Sequence, residues 1–318
     1  MRVGLFDAIR IQSLDLIFDE TQTFIRGWVE SYSAPIIEHL NVGNEEGFQE
    51  RLLSLGGCIK DIFGGAAQDV RGGNNVAAAQ AAMTISGSSW ERLVTWYLNA
   101  LGCGLNAVAL NQRGQTKHLP NSYRDAFQVT INNVSISSDL DVVMLNWIGP
   151  ENQDWMDMEF DSTNRAEMNQ ASIIFKQLIE ANPNHFSVCV LSTKTNWNDS
   201  IQTPMLWNLI FTNGFFHPLV NVGRNQRSPS MFGWFSYGFA TVPSTSIEGW
   251  HQNRFPVLRA STMTAGSYWG LPENQELRMR PLSEVFSNRT RMPTGQRVGG
   301  NLSQFISEED GIKAFKLE

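Results

Sequence analysis

The chain has 318 residues, 42% of them apolar and 17% charged, which is enough apolar material for a real core and ordinary for a folded globular protein. No stretch approaches the roughly 20 apolar residues of a membrane span, and residues 1–20 lack the basic-then-apolar pattern of a signal peptide. A cytoplasmic protein with no membrane partner is therefore expected. Three cysteines far apart (Cys58, Cys103, Cys189) offer neither a disulfide framework nor zinc-ligand spacing, and their apolar neighbours suit small core residues.

The net charge of −7 speaks at face value against nucleic acid. Its distribution differs. Residues 220–300 hold nine arginines against four glutamates, with no lysine or aspartate, so this segment is +5 and the remainder −12. Arginine suits bidentate contacts with phosphate and guanine, although composition alone fits a solvated basic face equally well.

In chain order, residues 1–62 read as helical, with apolar positions at helical spacing in Phe6, Ile9, Leu14, Ile17 and again in Phe24, Ile25, Trp28, Val29. A second helix is predicted over Glu45–Phe63. The Gly-rich stretch Gly64–Asn75 reads as a flexible loop and lacks the Gly-Lys-Ser/Thr of a phosphate loop. A helix is predicted from about Ser88 to Leu101, capped by Ser88 or Ser89, with Glu91 in its first turn and a stripe of Trp90, Leu93, Val94, Tyr97, Leu98 and Leu101. Period-two alternation predicts strands over Phe127–Asn132 and Val134–Ser137. Val142–Trp147 and Phe186–Leu191 are dense apolar runs of the buried-strand type. Helices are predicted over 165–181 and from about Pro204 to Phe211, and aromatic strands over Met231–Val242. The simplest architecture is one α/β (α+β) domain over 1–318: a helical N-terminal region (1–84), a core (85–215) and a C-terminal β/loop extension (216–318).

Three pieces carry chemistry. They are a helix bearing Glu91 in Ser-Ser-Trp-Glu-Arg-Leu-Val, Asp141 opening a buried strand in Asp139-Leu-Asp-Val-Val-Met-Leu, and Lys194 ending another in Val188-Cys-Val-Leu-Ser-Thr-Lys. If the two strands pair, Asp141 and Lys194 meet at a sheet edge, and Glu91 approaches from a helix packed on the sheet. Carboxylates hold Mg²⁺, which keeps several waters and lowers their pKa, while a lysine positions the water and screens phosphate.

This arrangement, with the following Lys194-Thr-Asn-Trp-Asn-Asp-Ser-Ile-Gln-Thr-Pro tract, resembles the PD-(D/E)xK nuclease superfamily, and more narrowly type II restriction endonucleases. The likeness covers residues 85–215. It implies a restriction-endonuclease-like core, a central mixed β-sheet flanked by helices, and Mg²⁺-dependent, sequence-specific cleavage of double-stranded DNA. It matches Asp141 to the family's strand-initial aspartate, Lys194 to its motif lysine and Glu91 to its helix glutamate, with Glu91 and Asp141 binding Mg²⁺. Two departures stand out: Leu140 replaces the proline, and Ser192 stands where the family usually has Asp or Glu. Glu91 is preferred over Asp199 as the source of the missing negative oxygen. Ser192, Asn196 and Gln202 are expected as polar support, and Arg224, Asn225, Gln226 and Arg227 as DNA contacts, since arginine suits guanine and amides suit adenine. A homodimer is expected on palindromic DNA, as is a cognate methyltransferase in the same system. The alternatives are a noncatalytic DNA-binding protein with a degenerate site, and a carbohydrate-acting protein using its tryptophans and paired carboxylates.

Overall fold

The computed structural model describes residues 1–18, 32–70, 76–136, 140–151, 153–195, 202–213, 218–242, 267–270, 273, 280–290, 298–307 and 309–317. The chain opens with strand β1 (Arg2–Gly4) and helix α1 (Leu5–Ile17), followed by α2 (Ala34–Leu40), α3 (Phe48–Val70) and α4 (Val76–Leu101). Next come β2 (Ala107–Asn111), the short helices α5 (Gln112–His118) and α6 (Asn121–Ala126), the hairpin strands β3 (Val129–Ile131) and β4 (Val134–Ile136), and β5 (Val142–Trp147). Then follow β6 (Glu159–Asp161), α7 (Arg165–Ala181), β7 (Phe186–Lys194), α8 (Gln202–Asn213), β8 (Val220–Val222) and β9 (Trp234–Thr241). The last described elements are β10 (Ser267–Trp269), β11 (Arg280–Pro281), α9 (Glu284–Arg289), α10 (Leu302–Ser307) and α11 (Glu309–Ala314).

The core is a six-stranded mixed sheet in the order β11-β10-β9-β7-β5-β2. β2, β5 and β7 run antiparallel to one another, while β7, β9, β10 and β11 run parallel. Both faces are covered, which is why β5 and β7 read as unbroken apolar runs rather than as alternating ones. Alternate residues feed two separate cores. Ala107, Ala109, Val142, Met144, Cys189 and Leu191 pack with side chains of α3, α4 and the C-terminal helices, Leu55, Leu98 and Leu302 among them. Val108, Leu110, Val143, Leu145, Val188 and Val190 pack with side chains of α1, α7 and α8, Ile9, Phe175 and Trp207 among them. The result is a mixed α/β molecule of three layers, a central sheet flanked by helices.

Several expectations shift. Helix α4 begins at Val76, well ahead of Ser88, so Glu91 lies in its middle and neither Ser88 nor Ser89 caps it. The predicted stripe of α4 is nonetheless buried throughout, because its 3.6-residue spacing was read correctly. The first part of the expected Gly64–Asn75 loop is helical as far as Val70, since long-range packing overrides the modest helix cost of two adjacent glycines; residues 71–75 lie outside the described residues. The Phe24–Val29 spacing lies outside them too. Residues 216–318 are built into the molecule's centre: β9 pairs with β7 along its length, and β10 and β11 extend the sheet beyond it.

Strand β2 is the sheet's edge, and side chains serve its outer polar groups. Asn99 of α4 receives the N–H of Ala109 (3.0 Å) and donates to that residue's carbonyl (2.9 Å), which also accepts from Ser13 (3.0 Å). The fully buried Arg10 of α1 donates to the carbonyls of Ala107 (2.6 Å), Leu105 (3.2 Å) and Gly102 and pairs with Asp7. Burial lowers its pKa to about 10. An edge tied down in this way offers no free ladder to another chain, and it fixes α4, with Glu91, against the sheet.

Candidate active site

Strand register assembles the site. Antiparallel pairing aligns Val142 with Leu191, so Asp141, just before β5, meets the last residues of β7. Four donors converge on one carboxylate oxygen: Asp141 Oδ2 accepts from the Thr193 N–H at 2.7 Å, Thr193 Oγ1 at 3.3 Å, Ser192 Oγ at 3.4 Å and Lys194 Nζ at 3.4 Å. Charge-assisted hydrogen bonds of this kind favour and orient an ionised carboxylate. Both partners of the ion pair are largely sheltered, the Lys194 side chain being 22% exposed and that of Asp141 11%.

β2 delivers the next piece to the same end. Asn111 pairs with Val142, so α5 starts beside Asp141 with Asn111 as its N-cap. The backbone N–H of Gln112, one of the donors that a first helical turn leaves over, reaches the Glu91 carboxylate. The Glu91 carboxyl is pushed up to about 7, chiefly by burial and then by the Asp141 carboxylate, against the opposing pull of Arg92, the Gln112 N–H and Lys194. Helix α4, the start of β5 and the end of β7 thus bring Glu91, Asp141 and Lys194 together, as their order in the sequence predicted. The mid-helix position of Glu91 also removes the competing explanation that it serves a helix N-terminus.

Ser192 has a different place from a ligand's. It is fully buried and donates to Asp141, so it steadies that carboxylate. Asn196, Asp199 and Asp139 lie outside the described residues, as does the side chain of Gln202. Two supports went unnoticed in the sequence. Gln115 Nε2 donates to the Leu140 carbonyl at 2.9 Å and fixes the entry to β5, and Thr241 Oγ1 donates to the Lys194 carbonyl at 2.7 Å and ties β9 to the end of β7. Neither carries a local signal, because each partner lies far along the chain or on α5, which the reading of periodicity passed over.

The Arg224–Arg227 turn is occupied. Asn225 and Gln226 take left-handed backbone angles (φ 52° and 59°) between bridged arginines, a tight hairpin turn. Asp125 accepts from Arg224 Nε at 2.5 Å and from Asn225 Nδ2 at 2.9 Å, and Arg227 lies 3.8 Å from Glu180.

Among the described residues no group of three or more His, Cys, Asp or Glu side chains could hold a metal ion. Glu91 and Asp141 still suit a hard cation. They are two carboxylates close enough that one raises the pKa of the other, and Mg²⁺ is commonly held by one or two carboxylates with water and substrate phosphate completing its shell. No helix among the described residues is long and apolar enough to cross a membrane. No protein-family model matches the chain, and no curated protein matches it.

Proposed function

We propose that this protein is a Mg²⁺-dependent endonuclease that cuts double-stranded DNA at a short specific sequence, in the manner of type II restriction enzymes with a PD-(D/E)xK-like core. The observation that carries this reading is the meeting of Glu91, Asp141 and Lys194 at one end of a mixed sheet, with Glu91 held at about 7 by burial and by Asp141. Strongly perturbed carboxylates beside a specific charge partner mark functional sites more often than structural ones.

Glu91 and Asp141 are the residues that would hold magnesium, which supplies charge stabilisation on the phosphate and a more acidic water. Ser192 and Thr193 keep Asp141 ionised and aimed. Lys194 Nζ, partly open to solvent, orients water and screens the scissile phosphate. Glu91, poised at about 7, exchanges its proton within the working pH range. The arginine-rich 220–300 segment supplies duplex contacts in this reading. Its Arg224–Arg227 turn engages DNA by exchanging Asp125 for phosphate or base. The working unit is a homodimer matched to palindromic DNA, protected in the host by a cognate methyltransferase acting separately.

The buried Ser192 at the carboxylate position favours one second reading, a noncatalytic DNA-binding protein. Incubation of unmethylated phage DNA with and without Mg²⁺, beside Asp141→Ala and Lys194→Ala, separates them. Discrete fragments from the wild type alone, and only with metal, support the nuclease. Intact DNA in every lane from a folded protein supports the binding protein.

A further inference from the structure

A cleft of about 280 Å³ opens beside the site, walled by α5, α6 and the β3–β4 hairpin. Gln112 and Leu140, the neighbours of the groups that bind Glu91 and carry Asp141, lie on its rim.

The lining has a defined polarity. The Gln115 amide nitrogen faces the carbonyls of Leu140 (2.9 Å), Leu110 (3.4 Å) and Asp141 (3.5 Å). Carbonyls only accept, so the amide orientation is fixed and its oxygen is the end turned away from the strand. Gln128 repeats the pattern, its nitrogen donating to Ser135 Oγ (2.6 Å) and to the Val129 carbonyl (3.3 Å). Two glutamine oxygens are thereby pre-set as acceptors on one cleft. Arg124, whose guanidinium spends one donor on the Thr116 carbonyl (3.2 Å), stands at the exposed side. Tyr123 adds a fully buried hydroxyl with no hydrogen-bond partner. Apolar side chains such as Ile136 complete the walls.

We propose that this cleft binds a nucleobase bearing an exocyclic amino group, adenine or cytosine, turned out of the DNA held at the site; the inference rests on the nuclease reading. Paired amide oxygens suit the amino groups of adenine N6 or cytosine N4, whereas thymine has none and the O6 of guanine opposes them. A concave cleft takes a base only outside the stack. The neighbouring arginine suits the accompanying phosphate.

The test is saturation-transfer NMR on the metal-free full chain with dAMP, dCMP, dGMP and dTMP as separate probes. Base-proton signals are expected from dAMP or dCMP above the other two. Gln128→Met and, independently, Tyr123→Phe should weaken them roughly tenfold, the effect of losing one good base contact, while Asp141→Asn leaves them in place. No base signal, equal signals from all four nucleotides, or a preference that survives both cleft variants in folded protein would overturn the proposal. The two readings fail separately. Base discrimination by a protein that cuts no DNA upholds the cleft and removes the nuclease, and cutting without base discrimination does the reverse.

Discussion

The end of the central sheet and the Arg224–Arg227 turn each set acidic side chains beside basic ones, and the fold treats their charges in opposite ways. At the turn, hydrogen bonds from Asn225 and Arg224 hold the Asp125 carboxyl below its ordinary range, so folding favours its charge. At the sheet end, burial and a second carboxylate lift Glu91 to about 7, so folding resists its charge. A satisfied surface cluster improves the fold and has little left to offer a ligand. A cluster that the fold keeps at a cost has its stabilising partner still to come, which here is a cation.

The largest effect expected is on chemistry. Asp141→Asn keeps an acceptor for Thr193 and so spares the strand junction, but it removes the negative oxygen. Lys194→Met keeps the aliphatic stem and removes the amine. Each should cut DNA cleavage about 10³-fold, the scale of a lost catalytic group, with little change in a thermal melt. Cleavage within tenfold of wild type in either variant would place the reaction elsewhere and erase the contrast with the turn.

Burial, rather than hydrogen-bond count, should set the cost of losing a satisfied cluster, and Asn99 offers the test. Like Asp125 it serves two groups, but on a buried edge strand. Asn99→Leu strands the N–H and C=O of Ala109 away from water, at about 3 kcal/mol from the desolvation of unpaired backbone groups. A chemical denaturation curve reads this, and a loss under about 1 kcal/mol would mean that the edge finds other partners.

The sequence made the central strands and the trio legible because both rest on local pattern: Val142–Trp147 and α7 appear at the predicted bounds, and Asp141 and Lys194 bracket paired strands. What it concealed depends on distance. Helix α4 starts at Val76 because its N-terminal half lacks an apolar stripe that announces it, and propensity over Ala-rich sequence decided instead. β2, a five-residue strand without alternation, was invisible without its partner β5. Gln115 and Thr241 act on strands that reach them only through the fold. The Arg-Asn-Gln-Arg stretch read well as chemistry and poorly as structure, since nothing local reveals Asp125 opposite it.

Glu91→Gln sharpens the contrast through pH. The folded state keeps the Glu91 proton up to about 7, while the unfolded chain releases it above its ordinary value of 4.5. Between those values the folded state binds more protons, so wild-type stability falls as pH rises through the window. The glutamine variant lacks this slope. In metal-free buffer it should be more stable than wild type by on the order of 2 kcal/mol at pH 8 and equal to it at pH 4, while losing cleavage. Equal stability at both pH values would mean that Glu91 carries its charge freely in the fold.

The smallest effect is expected at the turn. Asp125→Asn keeps an oxygen for Arg224 and Asn225 and removes only the charge. The sign is opposite to that of Glu91. A lowered carboxyl contributes stability that is present above the unfolded value of 3.8 and is lost as pH falls through the folded one. The variant should therefore melt with the wild type near pH 3 and at most slightly below it at neutral pH, because an ion pair so open to solvent is screened and its arginine is 59% exposed. Its DNA binding is more telling. Without the carboxylate's charge, Arg224 is the freer to meet phosphate, so affinity for duplex DNA should rise and its salt dependence steepen by up to about one counterion. A variant that binds DNA as the wild type does at every salt concentration would confine the turn to its structural task and leave duplex contact to the other arginines of the segment.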